Sequence, residues 1–203
     1  MVTHEHSDHI KSLSLLSNKY NIPIYANQKT YNKITSNNNI KNAQIFNMLE
    51  NFNIGDLKIF AFNTPHDAIS PCGFNISNSY KTISIATDLG NVNESLLEHF
   101  KNSSSILLES NYDPDILKYS SYPYQLKQRI VSSNGHLSNS QAGKTLALLS
   151  NYKLKNALLI HLSKENNFPE LAYKTVQEEL ANCKNILVDV APRNNPSKLF
   201  EVV

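Results

Sequence analysis

The sequence predicts an α/β fold. Short runs rich in β-branched and aromatic residues alternate with segments whose apolar residues recur at helical spacing. No Gly/Ser-rich linker divides the 203 residues, so one domain spanning 1–203 is expected. With 40% hydrophobic and 18% charged residues, the chain can bury a sizeable core and lacks the composition of a disordered one.

Residues 1–3 read as the end of a strand. From Asp8 to Tyr20, Ile10, Leu13, Leu15, Leu16 and Tyr20 fall near helical spacing behind Ser7 or Asp8 as N-cap. A short strand over 22–26, opened by Pro23, precedes a weaker helix over 27–34. Residues 45–48 and 52–64 alternate as strands and turn at Gly55-Asp56. Strands over 74–77 and 82–87, a helix over 92–100 and a buried strand over 105–109 follow. Helices over 122–132 and 138–150 are separated by Asn134-Gly135. An apolar strand over 157–162, a helix over 169–181 and a strand over 186–190 complete the pattern.

Composition narrows the function. No apolar run approaches the roughly 18 residues that span a bilayer, so no membrane partner is expected. The polar N-terminus reads as no secretory leader, and two cysteines build no disulfide framework; a reduced, cytoplasmic setting fits. A net charge of +2 neither demands nor excludes nucleic acid. Asparagine occurs 28 times, with a run at Asn37–Asn39, and its enrichment along the whole chain reads as compositional drift rather than a prion-like segment.

The chemistry is concentrated at the start. Thr3-His4-Glu5-His6-Ser7-Asp8-His9 packs three imidazoles and two carboxylates into seven residues. On an extended backbone His4 and His6 point the same way, and Asp8 and His9 follow where a helix begins. Imidazole and carboxylate without thiolate suit zinc, manganese or iron. A histidine tag would lack the interleaved aspartate and the adjoining amphipathic helix. Three more candidates each end a predicted strand, where side chains converge on one rim of a sheet: His66, Asp88 and His161.

With these residues in view, the sequence resembles the metallo-β-lactamase-fold hydrolases. The motif Thr-His-x-His-x-Asp-His, followed by a distant His, Asp and His, carries the resemblance. Residues 2–10, Asn21-Ile22-Pro23-Ile24-Tyr25-Ala26, His66-Asp67-Ala68 and Gly135-His136-Leu137-Ser138-Asn139 resemble its YycJ/WalJ-type, nuclease-related group. The resemblance implies an αβ/βα sandwich. It also implies two divalent ions, zinc foremost: His4, His6 and His66 hold one, Asp8, His9 and His161 the other, and Asp88 bridges them, leaving room for a water or hydroxide. In that family such a domain begins with several strands before the first metal motif. The expectation here is a sandwich lacking its first strands, with one sheet short and apolar groups facing solvent beside it.

Glu109 and His136 resemble a glutamate and a Gly-His-Ser motif of tRNA 3′-end processing endonucleases, where the pair is thought to protonate the leaving oxygen. By position alone His136 could instead cap the helix that opens near Ser138. Asp8, Glu109 and His136 are thus the candidate catalytic residues. His99, in a surface-type helix, is expected to be solvated. The expected activity is a phosphodiesterase or exonuclease acting on DNA, with Lys127, Arg129, Lys164 and Arg193 as candidate phosphate contacts. A hydrolase of small esters, lactones, thioesters or cyclic phosphates, and an inactive metal-binding fragment, are the competing readings. The sequence does not fix the oligomeric state.

Overall fold

The computed structural model describes residues 1–35, 40–183, 186–199 and 201–202; the asparagine run at Asn37–Asn39 lies outside them. The chain opens with α1 (Ser7–Ile10) and α2 (Leu13–Tyr20), then β1 (Ile24–Asn27), α3 (Gln28–Thr35) and β2 (Ala43–Phe46). Strands β3 (Asn51–Ile54), β4 (Leu57–Asn63), β5 (Cys72–Ser77) and β6 (Thr82–Ala86) follow without an intervening helix. Next come α4 (Glu94–Phe100), β7 (Ser105–Glu109), α5 (Pro114–Tyr119), α6 (Tyr124–Val131) and α7 (Asn139–Leu149). The described elements end with β8 (Asn156–Ile160), α8 (Pro169–Glu179) and β9 (Leu187–Val190).

Strands β3 to β9 form one mixed seven-stranded sheet in sequence order. The pairs from β3 to β6 are antiparallel and those from β6 to β9 parallel. One consequence positions everything that follows. Strands β4, β6, β7 and β8 all run in the same direction, so their C-terminal ends share one rim. Strand β5 runs the other way and presents its N-terminal end, Cys72, at that rim.

The α/β expectation holds, and the packing explains it. On β4, alternate residues face opposite cores. Ile59 and Ala61 join Phe46, Cys72 and Phe74 on one face, while Phe62 joins Ala86, Ile106, Leu108 and Leu159 on the other. The second face is covered by α4, α7 and α8 through Leu96, Phe100, Leu146, Leu149 and Val176. Two of these helices start on side-chain caps. Asn93 accepts from the Leu96 amide, and Ser138 with Gln141 makes a reciprocal capping box.

The second sheet consists of β1 and β2, paired in parallel. Val2 donates to the Tyr25 carbonyl (2.8 Å) and Cys72 donates to the Thr3 carbonyl (3.1 Å). The opening residues therefore run extended between the small sheet and the edge of β5, as a strand end without a ladder of its own. The single helix expected over 8–20 is two, because the backbone leaves helical geometry at Ser12 (φ −106°, ψ 7°). The break lets α1 face the rim while Ile10 and Leu13 pack with Val2, Ile24 and Ile34. Leu15, Leu16, Tyr20, Ile22 and Ile45, around the small sheet, are exposed.

Candidate metal centre

All nine candidate site residues meet at the shared rim. The extended segment delivers His4, which is 1% exposed, and His6; α1 delivers Asp8 and His9 from its first turn. His66 follows β4, Asp88 follows β6, Glu109 ends β7 and His161 follows β8. Ring centroids of His4 lie 4.5 Å from His6, 4.2 Å from His9 and 5.0 Å from His66. His9 and His161 are 5.5 Å apart, and His136 lies 5.2 Å from His66 and 5.6 Å from His161.

Hydrogen bonds on the outer side of these rings set which nitrogen faces inward. His66 Nδ1 lies 3.1 Å from the Gly135 carbonyl, which can only accept, so Nδ1 carries the proton. Its Nε2 then presents a lone pair toward His6 Nδ1 (3.3 Å) and Asp88 Oδ1 (3.5 Å). His161 Nδ1 donates to Glu109 Oε1 at 2.8 Å, leaving Nε2 directed at Asp8 Oδ2, 3.6 Å away. Thr3 Oγ1 ties back Nδ1 of both His4 (3.1 Å) and His9 (3.0 Å). Outer partners of this kind are what hold a metal-binding imidazole in one orientation.

Four donor sets result whose ligand atoms lie within 4.8 Å of one another: His4, His6 and His66; Asp8, His9 and His161; His4, His9 and Asp88; and Asp88, Glu109, His136 and His161. The first two coincide with the division that the family resemblance implies. Asp88 faces both, with Oδ1 toward His66 and Oδ2 3.1 Å from His9 Nε2. His4 Nε2 is buried without a hydrogen-bond partner. An imidazole nitrogen in that state costs free energy unless something binds it, so the set fits a divalent cation.

Electrostatics agree with a cluster of mutually close donors. Burial pushes the His4 imidazole down to about 3 and also lowers His66. Burial alone would raise Asp88, but the hydrogen bond from His9 and the surrounding imidazoles hold it well below the usual carboxylate range. The His161 imidazole, 3.6 Å away, does the same for Asp8.

Glu109 plays a different part from the donors. It is fully buried, and its Oε1 accepts from both His136 Nδ1 and His161 Nδ1, each at 2.8 Å. Its Oε2 accepts from the Leu89 amide (2.8 Å) and the Leu137 amide (3.0 Å). Both oxygens are thus committed to fixing neighbours. Burial opposes the charge on His136, but the bond to Glu109 outweighs it and raises the imidazole above its ordinary value. Capping of α7 falls to Ser138, so His136 is free of that task.

Strain marks two candidate ligands. Asp88 and His161 adopt left-handed backbone, φ 58° and 59°, immediately beyond their strands. Only Asn21 and Leu49 share this among the described non-glycine residues. Such conformations cost roughly 1–3 kcal/mol and persist where the surroundings demand them. Here they turn the side chains back over the rim.

The rim opens into a cavity of about 590 Å³, with His9, His66, His136 and His161 at its base. Tyr122, Leu126 and Ile130 form an apolar wall, and Arg129 and Arg193 also line it. Arg129 is held by Asp67 through Nε and Nη2, while Arg193 donates to the Leu162 carbonyl (2.8 Å). Lys127 departs from expectation: its Nζ donates to the carbonyls of Lys118 and Ser120, both at 2.7 Å. Lys164 is exposed and does not line the cavity. His99 is half-buried and stacks on Phe62, 5.0 Å between centroids, instead of standing in solvent.

Sequence reasoning missed Thr3, Asn111, which donates to the His161 carbonyl (2.8 Å), and the Gly135 carbonyl. A hydroxyl, an amide and a backbone oxygen acquire these roles only through the fold, so no pattern in the chain announces them.

A model of the family described as the beta-lactamase superfamily domain matches residues 1–162. The chain is 36% identical over 186 residues to the exodeoxyribonuclease WalJ of Streptococcus pneumoniae serotype 2, covering 89% of this chain and 69% of that protein. It is 37% identical over 183 residues to the exodeoxyribonuclease YycJ of Bacillus anthracis, with the same shares covered. Among solved structures it resembles the metallo-beta-lactamase fold protein YhfI of Bacillus subtilis, with TM-score 0.69, 18% identity, and 93% and 72% of the two chains covered.

Proposed function

The chain belongs to the beta-lactamase superfamily, and from that premise we propose that this metal-dependent hydrolase is a phosphodiesterase that removes nucleotides from an end of DNA. The observation that carries the reading is the sharing of Glu109 Oε1. One imidazole on that oxygen, His161, is among the seven ligands that the resemblance implies; the other, His136, is not, and reaches the same cavity from the loop before α7, in a donor group with Asp88, Glu109 and His161. A proton donor beside a cation site is what cleavage of a phosphodiester needs, because the departing alkoxide is strongly basic. The names of the WalJ and YycJ relatives support DNA as the substrate.

His4, His6 and His66, together with Asp8, His9, His161 and a bridging Asp88, would hold the metal, with zinc the first choice for this sulfur-free set and manganese or iron as alternatives. Bound there, two divalent ions supply a more acidic water and Lewis-acid pull on a phosphoryl oxygen. The protein's own residues do the rest. Gly135 and Glu109 hold the rings of His66 and His161, the cavity admits the strand end, and Glu109 aims His136 at the leaving oxygen. Arg193, with three guanidinium nitrogens beside a cavity that takes an anion, binds phosphate. Among the described residues, no helix is long and apolar enough to cross a membrane.

Metal-loaded protein should release mononucleotides from end-labelled DNA, and His136→Ala should lower turnover at least tenfold, within the roughly 10²–10⁴ that a general acid contributes, with metal content unchanged. Hydrolysis of lactones or thioesters in place of DNA would overturn the substrate. Loss of metal in His136→Ala would make that residue a ligand, and unchanged turnover would remove it from the chemistry.

A further inference from the structure

A second hollow adjoins the metal cavity. It measures about 480 Å³ and lies between α5 and α6, lined by Tyr112, Leu117, Lys118, Tyr122, Tyr124 and Val131 among others. Tyr122 lines both hollows, so the two lie side by side with one aromatic side chain between them. None of the described residues lining it is acidic.

Its surface is unusual in two respects. Tyr124, which lines it, is 74% exposed; Tyr119, next to Lys118 at the end of α5 and outside the lining, is 79% exposed. Water-facing aromatic rings beside the cavity leave their faces open to a flat ligand. They stand over a buried base of Tyr112, Leu117 and Ile130, against which Tyr122 and Leu126 pack. That base keeps the platform rigid. Two lysines add positive charge. Lys127 pins the turn between α5 and α6 through the Lys118 and Ser120 carbonyls, and the exposed Lys118 lies with Nζ 5.2 Å from the Tyr119 ring centroid.

Resting on the reading of the chain as a DNA-cleaving phosphodiesterase, we propose that this groove binds the single-stranded continuation of the substrate. Bases stack on Tyr122 and Tyr124 while Lys118 meets the backbone phosphates. Rigid aromatic faces with interleaved cations bind single strands whatever their sequence, because every base offers a π-face and every linkage a charge. A duplex keeps its bases paired and its faces covered, so the groove favours a frayed or single-stranded end. Adjacency to the metal cavity supplies the path: one nucleotide at the rim, the next ones past Tyr122.

The test compares metal-loaded wild type with Tyr124→Ala and Lys118→Glu, both at exposed positions, and with Tyr80→Ala, an exposed tyrosine in the β5–β6 turn, as control. Binding of fluorescent phosphorothioate oligothymidylates of about 15 and about 3 nucleotides is read by anisotropy, and cleavage of unmodified strands of the same lengths is read in parallel. Both variants should weaken binding of the long strand about fivefold or more relative to the short one, the lower range for one base stack; Tyr80→Ala should not. Equal effects on both lengths, or none, would overturn the groove. Wild type that cleaves DNA while the variants ignore length would sink the groove and spare the nuclease reading. Wild type that binds with the expected length dependence but cleaves nothing would do the reverse. Wild type that neither binds nor cleaves would remove both.

Discussion

Glu109 carries more of the site than any ligand does. Its four accepted hydrogen bonds tie together β7, the residues after β6 and the loop before α7. Glu109→Gln keeps the shape but replaces one acceptor oxygen with a donor, which must then oppose an N–H. Outer-sphere groups of this kind are worth roughly 10–100-fold in metal affinity. Glu109→Gln should therefore lower affinity by about tenfold or more in chelator competition, and also depress turnover. Unchanged affinity would show that His161 is oriented by something else. His99 offers a separate check. Burial against Phe62 and Phe60 lowers its pKa below the unfolded value of about 6.5, so the folded state favours the neutral ring. Its contribution is present above that value and fades as pH falls below it. Between pH 7 and pH 5 the urea midpoint of wild type should drop further than that of His99→Phe. Parallel decline in the two proteins would refute this.

At the scale of elements, legibility followed the strength of the local pattern. Strand β7 was readable to the residue because Ile106, Leu107 and Leu108 form a continuous apolar run ended by a charge. Helix α5 went unseen: six residues leave too little periodicity, and its only marks are Pro114 and the Asp113 cap. The break at Ser12 and the inward turn of His99 depend on what each residue packs against, which spacing does not encode. The candidate ligands were legible because their chemistry recurs at strand ends, whereas Thr3 and the Gly135 carbonyl are ordinary groups placed by the fold. The loop before α7 gives a test of such placement. A Cβ on Gly135 would lie 2.2 Å from the Ile130 carbonyl oxygen and 2.3 Å from that of Arg129. Gly135→Ala should cost roughly 1–3 kcal/mol, as overpacking does, and loosen His66 through the displaced carbonyl. A thermal midpoint equal to wild type would show that the loop yields freely.

Over the whole molecule, the donors come from both sides of the fold: the opening segment beside the small sheet and three strand ends of the large one. A cation there would bind the native arrangement and not the unfolded chain. At about 100 times its dissociation constant such a ligand adds about 2.7 kcal/mol, which for a chain of this size corresponds to roughly 5–10 °C. Chelation should lower the melting temperature by that amount, and returning zinc should restore it. No shift in either direction would mean that the cluster binds metal too weakly to matter.

The shared rim also has a consequence in time. Its contributors run from His4 to His161, and β4, β6, β7 and β8 come into line only when the antiparallel meander and the parallel crossovers are both in place. Pairings so distant along the chain form late, after loop closure has been met by other contacts. The donor cluster is thus among the last features to form during refolding and among the first to be lost on the way out. Added metal should leave the refolding rate nearly unchanged and slow unfolding, so that it acts as a latch on the finished molecule and not as a seed for it.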